Sequence, residues 1–202
     1  MQDNQMKAQR IMNLPNILSI VRMILVPVFM ASILYMGSNI KIWGFVIPAA
    51  IFAVTSLTDM LDGKIARKYN LITDFGKFLD PLADKFMVFG ALISLLAAPD
   101  YAEIRMILVW VAAIVMLREL GVTSLRLVVA SRGVVVAASI WGKMKTVTQI
   151  FAILMLILEP LFPIFAQNHI LSYAAMAAMA ITTVGSGVTY LGALWPYVSG
   201  KK

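Results

Sequence analysis

The 202-residue sequence predicts an all-α polytopic membrane protein with six transmembrane helices. First, 61% of the residues are hydrophobic and only 13% are charged, whereas soluble domains run near half apolar and about a quarter charged. The mean hydropathy of +0.87 points the same way. Such a chain has too much apolar surface for one water-soluble core, so the bilayer must serve as its solvent. Second, the apolar residues gather into six runs, each meeting the requirement of about 20 residues for crossing the hydrocarbon. Third, the basic residues collect on alternate connections, as in a chain threaded back and forth through a membrane.

Residues 1–13 are polar and lead into the first span, 15–36. No small-residue cleavage site follows a short apolar region, so this start reads as a cytoplasmic N-terminus. Asn16, just after Pro15, either caps the first helix or touches a ligand. Arg22, inside the span, either reaches into a site or extends its head to the interface. Span 2 covers 42–67 and turns polar only toward its end, whereas span 3, 76–98, is polar at its beginning. Span 4, 104–130, carries Arg118 in its interior, beside Glu119. Adjacent helix positions diverge, so Glu119 is a poor expected counterion for Arg118. Span 5 covers 144–166 and span 6 covers 170–198. Glu159, before Pro160, has no assigned role, and His169 falls in a short exterior loop where solvation is expected. No linker or low-complexity segment interrupts residues 1–202, which read as one domain.

Lys41 is the one basic residue between spans 1 and 2, Arg105 the one between spans 3 and 4, and none lies between spans 5 and 6. The other 15 of the 17 lie near the termini and the 2–3 and 4–5 connections. That asymmetry places both termini and these two connections in the cytoplasm. The net charge of +7 is read as orientation and contact with anionic membrane lipid, not as nucleic-acid binding. Cysteine is absent and there is one histidine. Thiolate chemistry, disulfides and His-rich metal centres are therefore excluded, and any metal would be a hard cation held by oxygen.

Ten residues are acidic, and Asp59, Asp62, Asp74, Asp80 and Asp84 fall within 26 positions. Carboxylates in a span cost several kcal/mol unless they pair or line a polar cavity, and they repel one another. Something cationic must hold them together. Asp59, Asp62, Gly63, Ala66 and Arg67 stand at i, i+3, i+4, i+7 and i+8, one face of an α-helix. Gly76, Asp80 and Asp84 share a face in the same way. Lys68 to Phe75 can return the chain antiparallel, so the two stripes are expected to face each other across a helical hairpin. Four carboxylates then suit Mg²⁺ or Mn²⁺. Gly63 and Ala66 remove bulk, and Arg67 can donate a fork to a phosphate. Metal, small residues and arginine together describe a pyrophosphate site. The plainer alternative is a solvated helix end. Against it, apolar runs abut the stripe and Gly and Ala share its face.

Residues 59–84, DMLDGKIARKYNLITDFGKFLDPLAD, resemble the CDP-alcohol phosphotransferases. They match the signature D-x2-D-G-x2-A-R-x8-G-x3-D-x3-D at every fixed position. MNLPNILSIVRMILVPVF near the start, LRELGVTSLRLVVASRGVVVAASIWGKMKTVTQ further on, and SGVTY near the end are similar to the bacterial branch of that family whose acceptor is glycerol 3-phosphate. Ser124 stands where that branch is expected to have Gly, and residues 1–11 look like an extension.

The resemblance implies a six-helix fold. It implies a phosphatidyl transfer from CDP-diacylglycerol to an alcohol with release of CMP, and an active site facing the cytoplasm of a bacterial cell membrane. Members of the family often form homodimers. By the same resemblance Asp59, Asp62, Asp80 and Asp84 ligate Mg²⁺ or Mn²⁺, and Asp84 is also the general base. Gly63, Ala66, Arg67 and Gly76 line the CDP site, with Asn16 and Arg22 as further CDP-binding candidates.

The acceptor is read from charge. Arg118, Arg126, Lys143 and Lys145 bracket the 4–5 connection. A phosphate-bearing acceptor such as sn-glycerol 3-phosphate needs such a cluster and serine does not, although lysines there also serve as positive-inside anchors. Other acceptors of the superfamily are phosphatidylglycerol, inositol phosphate and serine. A cation transporter would instead scatter its acids over several spans near the midplane.

Overall fold

A computed structural model describes residues 14–68, 74–131 and 140–198. Six long helices occupy the places of the six apolar runs: α1 (Leu14–Tyr35), α2 (Trp43–Lys68), α3 (Asp74–Ala97), α4 (Arg105–Ala130), α5 (Ile140–Leu158) and α6 (Ile170–Val198). No strand occurs among the described residues. The 22 residues of α1 rise about 33 Å, enough for a hydrocarbon core of about 30 Å. Among the described residues four helical segments are long and apolar enough to cross a membrane: Asn16–Tyr35, Arg105–Ala130, Ile140–Leu161 and Ile170–Tyr197. In α2 the apolar stretch is shorter, Trp43–Asp59, because the acids begin there. Hydroxyls inside the helices bond their own backbone, as Ser32 does to the Phe29 carbonyl at 2.6 Å and Thr55 to that of Ile51 at 2.6 Å. Such internal pairing is what lipid surroundings demand.

The fifth span departs from expectation. It starts at Ile140, not 144, and its α-helix stops at Leu158, not 166. A 3-10 turn, Glu159–Leu161, then leads to Phe162 in extended backbone, and Pro163 opens a single turn to Ala166. Pro160 and Pro163 lack the N–H that would continue the ladder, which ends the helix early. At the front, Lys143 also belongs to the helix, as Lys145 was expected to, because a lysine stem is apolar enough to sit on a helix face.

The chain divides into two compact units, Met1–Tyr101 and Ala102–Lys202. In the first, α1 packs along both α2 and α3. Its buried face carries Asn16, Ser19, Arg22, Val26, Phe29 and Ile33, at the three- and four-residue spacing of one helix side. Phe29 meets Phe52 of α2 with ring centroids 5.4 Å apart. Gly90 of α3 admits Val26, since a Cβ there would lie 2.7 Å from that side chain. Among the described residues α2 and α3 do not pack along each other. α1 is the helix that both stripe-bearing helices share, and an acid of each stripe, Asp59 and Asp84, reaches Arg22 on it; the connection expected to turn the hairpin lies outside the described residues.

In the second unit, α6 packs along both α4 and α5. Ser172, Met176, Met179, Thr183, Ser186, Tyr190 and Leu194 form its buried face, again at spacings of three and four. Glu159 and His169 are more engaged than the sequence suggests. Buried Glu159 accepts the backbone N–H of Ser172 at 3.1 Å and the Ser172 hydroxyl, capping the start of α6 from 13 positions upstream. His169 Nδ1 lies 3.5 Å from Glu159 Oε2, and its Nε2 lies 3.0 Å from Glu103 Oε2. His169 is therefore held between two carboxylates, where simple solvation was expected.

Candidate active site

Placing Arg22 in α1 requires a partner, because an isolated guanidinium inside an apolar bundle is costly. The side chain is fully buried. Its Nη1 lies 2.6 Å from Asp59 Oδ1 on α2 and 3.4 Å from Asp84 Oδ1 on α3. One buried cation thus draws together an acid from each stripe. The carboxylates themselves look outward: the Asp59 side chain is 30% exposed and that of Asp84 is 53% exposed. The α-helical backbone is continuous from Asp59 through Asp62 and from Asp80 through Asp84, so the one-turn spacings hold. Pro81 stands inside α3, and Lys85 donates to its carbonyl at 3.1 Å, which turns that cation back along its own helix.

Asp59 and Asp84 are the described residues of this site that could contribute to holding a hard cation. The donors are all oxygen, one side of the acid pair is anchored and the other is open, as Mg²⁺ or Mn²⁺ binding requires. No group of three or more histidine or acidic side chains placed to hold a metal ion occurs among the described residues. The side chains of Asp62 and Asp80, the third and fourth expected ligands, lie outside them. So do those of Ala66 and Arg67 and the surroundings of Gly63, while Gly76 is buried on α3. Asn16 is buried on the Arg22 face of α1. Ser19, equally buried there, is a polar residue that reading by charge passed over.

The expected acceptor cations separate into two pairs. Arg118 and Lys145 belong to one buried group, with side chains each 10% exposed. Arg126 and Lys143 are exposed. The group's centre is Glu119, which corrects the expectation that it is a poor partner for Arg118. Arg118 Nη1 lies 3.2 Å from Glu119 Oε1 and 3.3 Å from Oε2, and Lys145 Nζ donates to the same Oε1. Cβ vectors of neighbouring residues diverge, but a guanidinium on a long stem reaches back around the helix. Arg118 Nη2 donates to Ser186, and its Cζ lies 5.4 Å from the centroid of the Tyr190 ring. Gly187 leaves space beside the stem, since a Cβ there would lie 3.4 Å from Arg118 Cγ. Arg118 Nε is buried without a hydrogen-bond partner among the described residues. Ser186 and Tyr190 open and close the SGVTY motif, one helical turn apart, and that spacing was the signal available for them.

Fold and site together define a polytopic helical membrane protein in which acids of two helices meet over a buried arginine, with a second buried cation group further along the chain. The sequence profile of the CDP-alcohol phosphatidyltransferase family matches residues 12–185, and the chain belongs to that family. A Bacillus subtilis protein named CDP-diacylglycerol–glycerol-3-phosphate 3-phosphatidyltransferase is 40% identical over 191 residues, covering 91% of this chain and 95% of that one. A Pseudomonas fluorescens protein of the same name is 34% identical over 196 residues, 95% of each. A Mycobacterium tuberculosis protein named "Probable phosphatidylglycerophosphate synthase" is 41% identical over 182 residues, 90% of this chain and 81% of that protein.

Proposed function

We propose that the chain transfers the phosphatidyl group of CDP-diacylglycerol to sn-glycerol 3-phosphate, giving phosphatidylglycerophosphate and CMP. The observation that carries this reading is the convergence of Asp59 and Asp84, from opposite ends of the family signature, on one buried guanidinium. The names of the relatives support the choice of substrates.

In this reading Asp59, Asp62, Asp80 and Asp84 hold one or two Mg²⁺ or Mn²⁺ ions. When bound, the metal neutralises charge on the donor pyrophosphate and on the departing CMP. Gly63, Ala66 and Gly76 let the nucleotide approach the backbone. Arg67 donates a fork to a phosphate, Asn16 completes the CDP side, and Arg22 stands buried behind the acids instead of on the nucleotide. Asp84 is the more open of the two acids on Arg22 and takes the proton of the acceptor hydroxyl. The hydroxyl oxygen attacks the phosphatidyl phosphorus, the bond from that phosphorus to CMP breaks, and its electron pair leaves with CMP.

Arg118 and Lys145 bind the acceptor phosphate, with Arg126 and Lys143 drawing it in. Two cations about one carboxylate leave a net positive group, and Arg118 Nε remains a donor to offer. A phosphate answers both. The enzyme works in a bacterial cell membrane with its termini and active site cytoplasmic, as one domain and as a homodimer. The test is CMP release from CDP-diacylglycerol by purified protein with Mg²⁺ or Mn²⁺ and a panel of acceptors. Glycerol 3-phosphate should far exceed glycerol, serine, inositol phosphate and phosphatidylglycerol. Equal rates with plain glycerol or serine would overturn the choice of acceptor.

A further inference from the structure

Arg22 occupies an unusual place for a ligand-binding arginine. It comes at the acids from the inside of the bundle, fully buried, while Asp59 and Asp84 present their other sides outward. Its neighbours on α1 are the buried Ser19 and Val26, and Phe29 beyond, so the stem is packed on an apolar and small-polar face. The same nitrogen serves an acid from α2 and an acid from α3, two helices that each pack along α1. Withdraw that cation, and two carboxylates drawn to one point lose the charge that offsets their mutual repulsion.

We infer that Arg22 is the resident counter-ion of the acid pair, a positioning residue that holds Asp59 and Asp84 together before a divalent ion arrives and weakens that ion's binding once it is there. The inference rests on the proposed metal-binding role of these acids. Its physical basis is charge. A guanidinium within salt-bridge distance of both carboxylates satisfies part of their demand for cation, and it repels a divalent ion bound on their outer sides. The site is thereby assembled without metal, at the expense of metal affinity. Such a device keeps the metal exchangeable and dependent on donor phosphate for part of its ligation, the usual habit of Mg²⁺.

The test is a Mn²⁺ titration followed by electron paramagnetic resonance, on purified protein in detergent without lipid substrate. Thermal unfolding with and without Mn²⁺ is recorded in parallel. Arg22→Gln removes the charge and keeps a polar head. It should bind Mn²⁺ about tenfold more tightly than the wild type. Its metal-free form should melt lower than the wild type, and saturating Mn²⁺ should recover most of the difference. Arg22→Lys keeps the charge and loses the fork. It should bind Mn²⁺ within about threefold of the wild type, which guards against a Gln variant too unstable to titrate without metal. A purely structural arginine could lower the melting temperature when replaced, but it would not raise metal affinity. Unchanged or weaker Mn²⁺ binding in Arg22→Gln, or tenfold tighter binding in Arg22→Lys, overturns the inference. Asp59→Asn separates the two levels of the claim: if it leaves Mn²⁺ binding untouched, the metal site itself is wrongly placed, whatever Arg22 does.

Discussion

Asp84 and Arg22 are 62 positions apart in the chain and 3.4 Å apart in space. That Asp59 and Asp84 belong to one site was legible in the sequence, because helical spacing turns a run of Asp at i and i+3 or i+4 into a face. Their cation was not legible, because nothing in α1 says which way a mid-span arginine points. Glu119 was misjudged for a related reason: spacing describes Cβ directions, and a long guanidinium stem escapes them. Two predictions belong at this scale. Asp84→Asn keeps the size of the side chain and loses its basicity, while Asp59 still pairs Arg22. Turnover should fall by about two orders of magnitude or more, the usual worth of a general base. CDP-diacylglycerol binding should remain measurable, and near-normal turnover at neutral pH would remove Asp84 from that role. Arg118→Ala leaves Lys145 and Glu119 as a neutral pair. It should lower kcat/KM for glycerol 3-phosphate by roughly tenfold to over a hundredfold, the equivalent of about 1.5–3 kcal/mol for a charge-assisted contact. The donor KM should stay near that of the wild type. The opposite pattern, a weakened donor and a spared acceptor, would move Arg118 to the nucleotide.

At the level of elements, helix α6 owes its start to a residue outside it. Glu159 accepts from the Ser172 N–H and hydroxyl, and His169 links it to Glu103 ahead of α4. Helix positions were legible because hydrophobic runs of bilayer length leave little freedom, and five of the six lie where composition puts them. The exception, α5, is where prolines and lysines overrule hydropathy at its two ends. The cap was not legible, since a carboxylate 13 positions upstream is no part of a local capping motif. Glu159→Ala should strip two acceptor bonds from a buried helix start. The expected cost is about 1–3 kcal/mol for the donors left unmet. Chemical unfolding in detergent would measure it, and faster amide exchange at Leu171 to Tyr173 would locate it. If both are unchanged, the cap is incidental and Glu159 returns to having no role.

The whole molecule is a question of sidedness. Hydropathy gave the number of spans, but which helix packs on which, α1 on two neighbours in one unit and α6 on two in the other, depends on side-chain fit that composition does not encode. Orientation, by contrast, is proposed from the charges: Lys41 and Arg105 are the only basic residues on one set of connections. The proposed reaction places the acids on the cytoplasmic side, where the nucleotide head group is proposed to meet them. Absence of cysteine makes the prediction simple to check, since any introduced thiol is the protein's only one. Ser38 and Asn168 are exposed between α1 and α2 and between α5 and α6, and Ser131 is exposed at the end of α4. In intact cells, spheroplasted if an outer membrane is present, a membrane-impermeant maleimide should label Ser38→Cys and Asn168→Cys. It should label Ser131→Cys only after the membrane is opened. Labelling of Ser131→Cys from outside, with the other two protected, would invert the topology and put the acid pair on the wrong face for a cytoplasmic nucleotide. Labelling of all three would break the six-span count itself, because an even number of crossings separates Ser38 from Asn168 and an odd number separates each from Ser131.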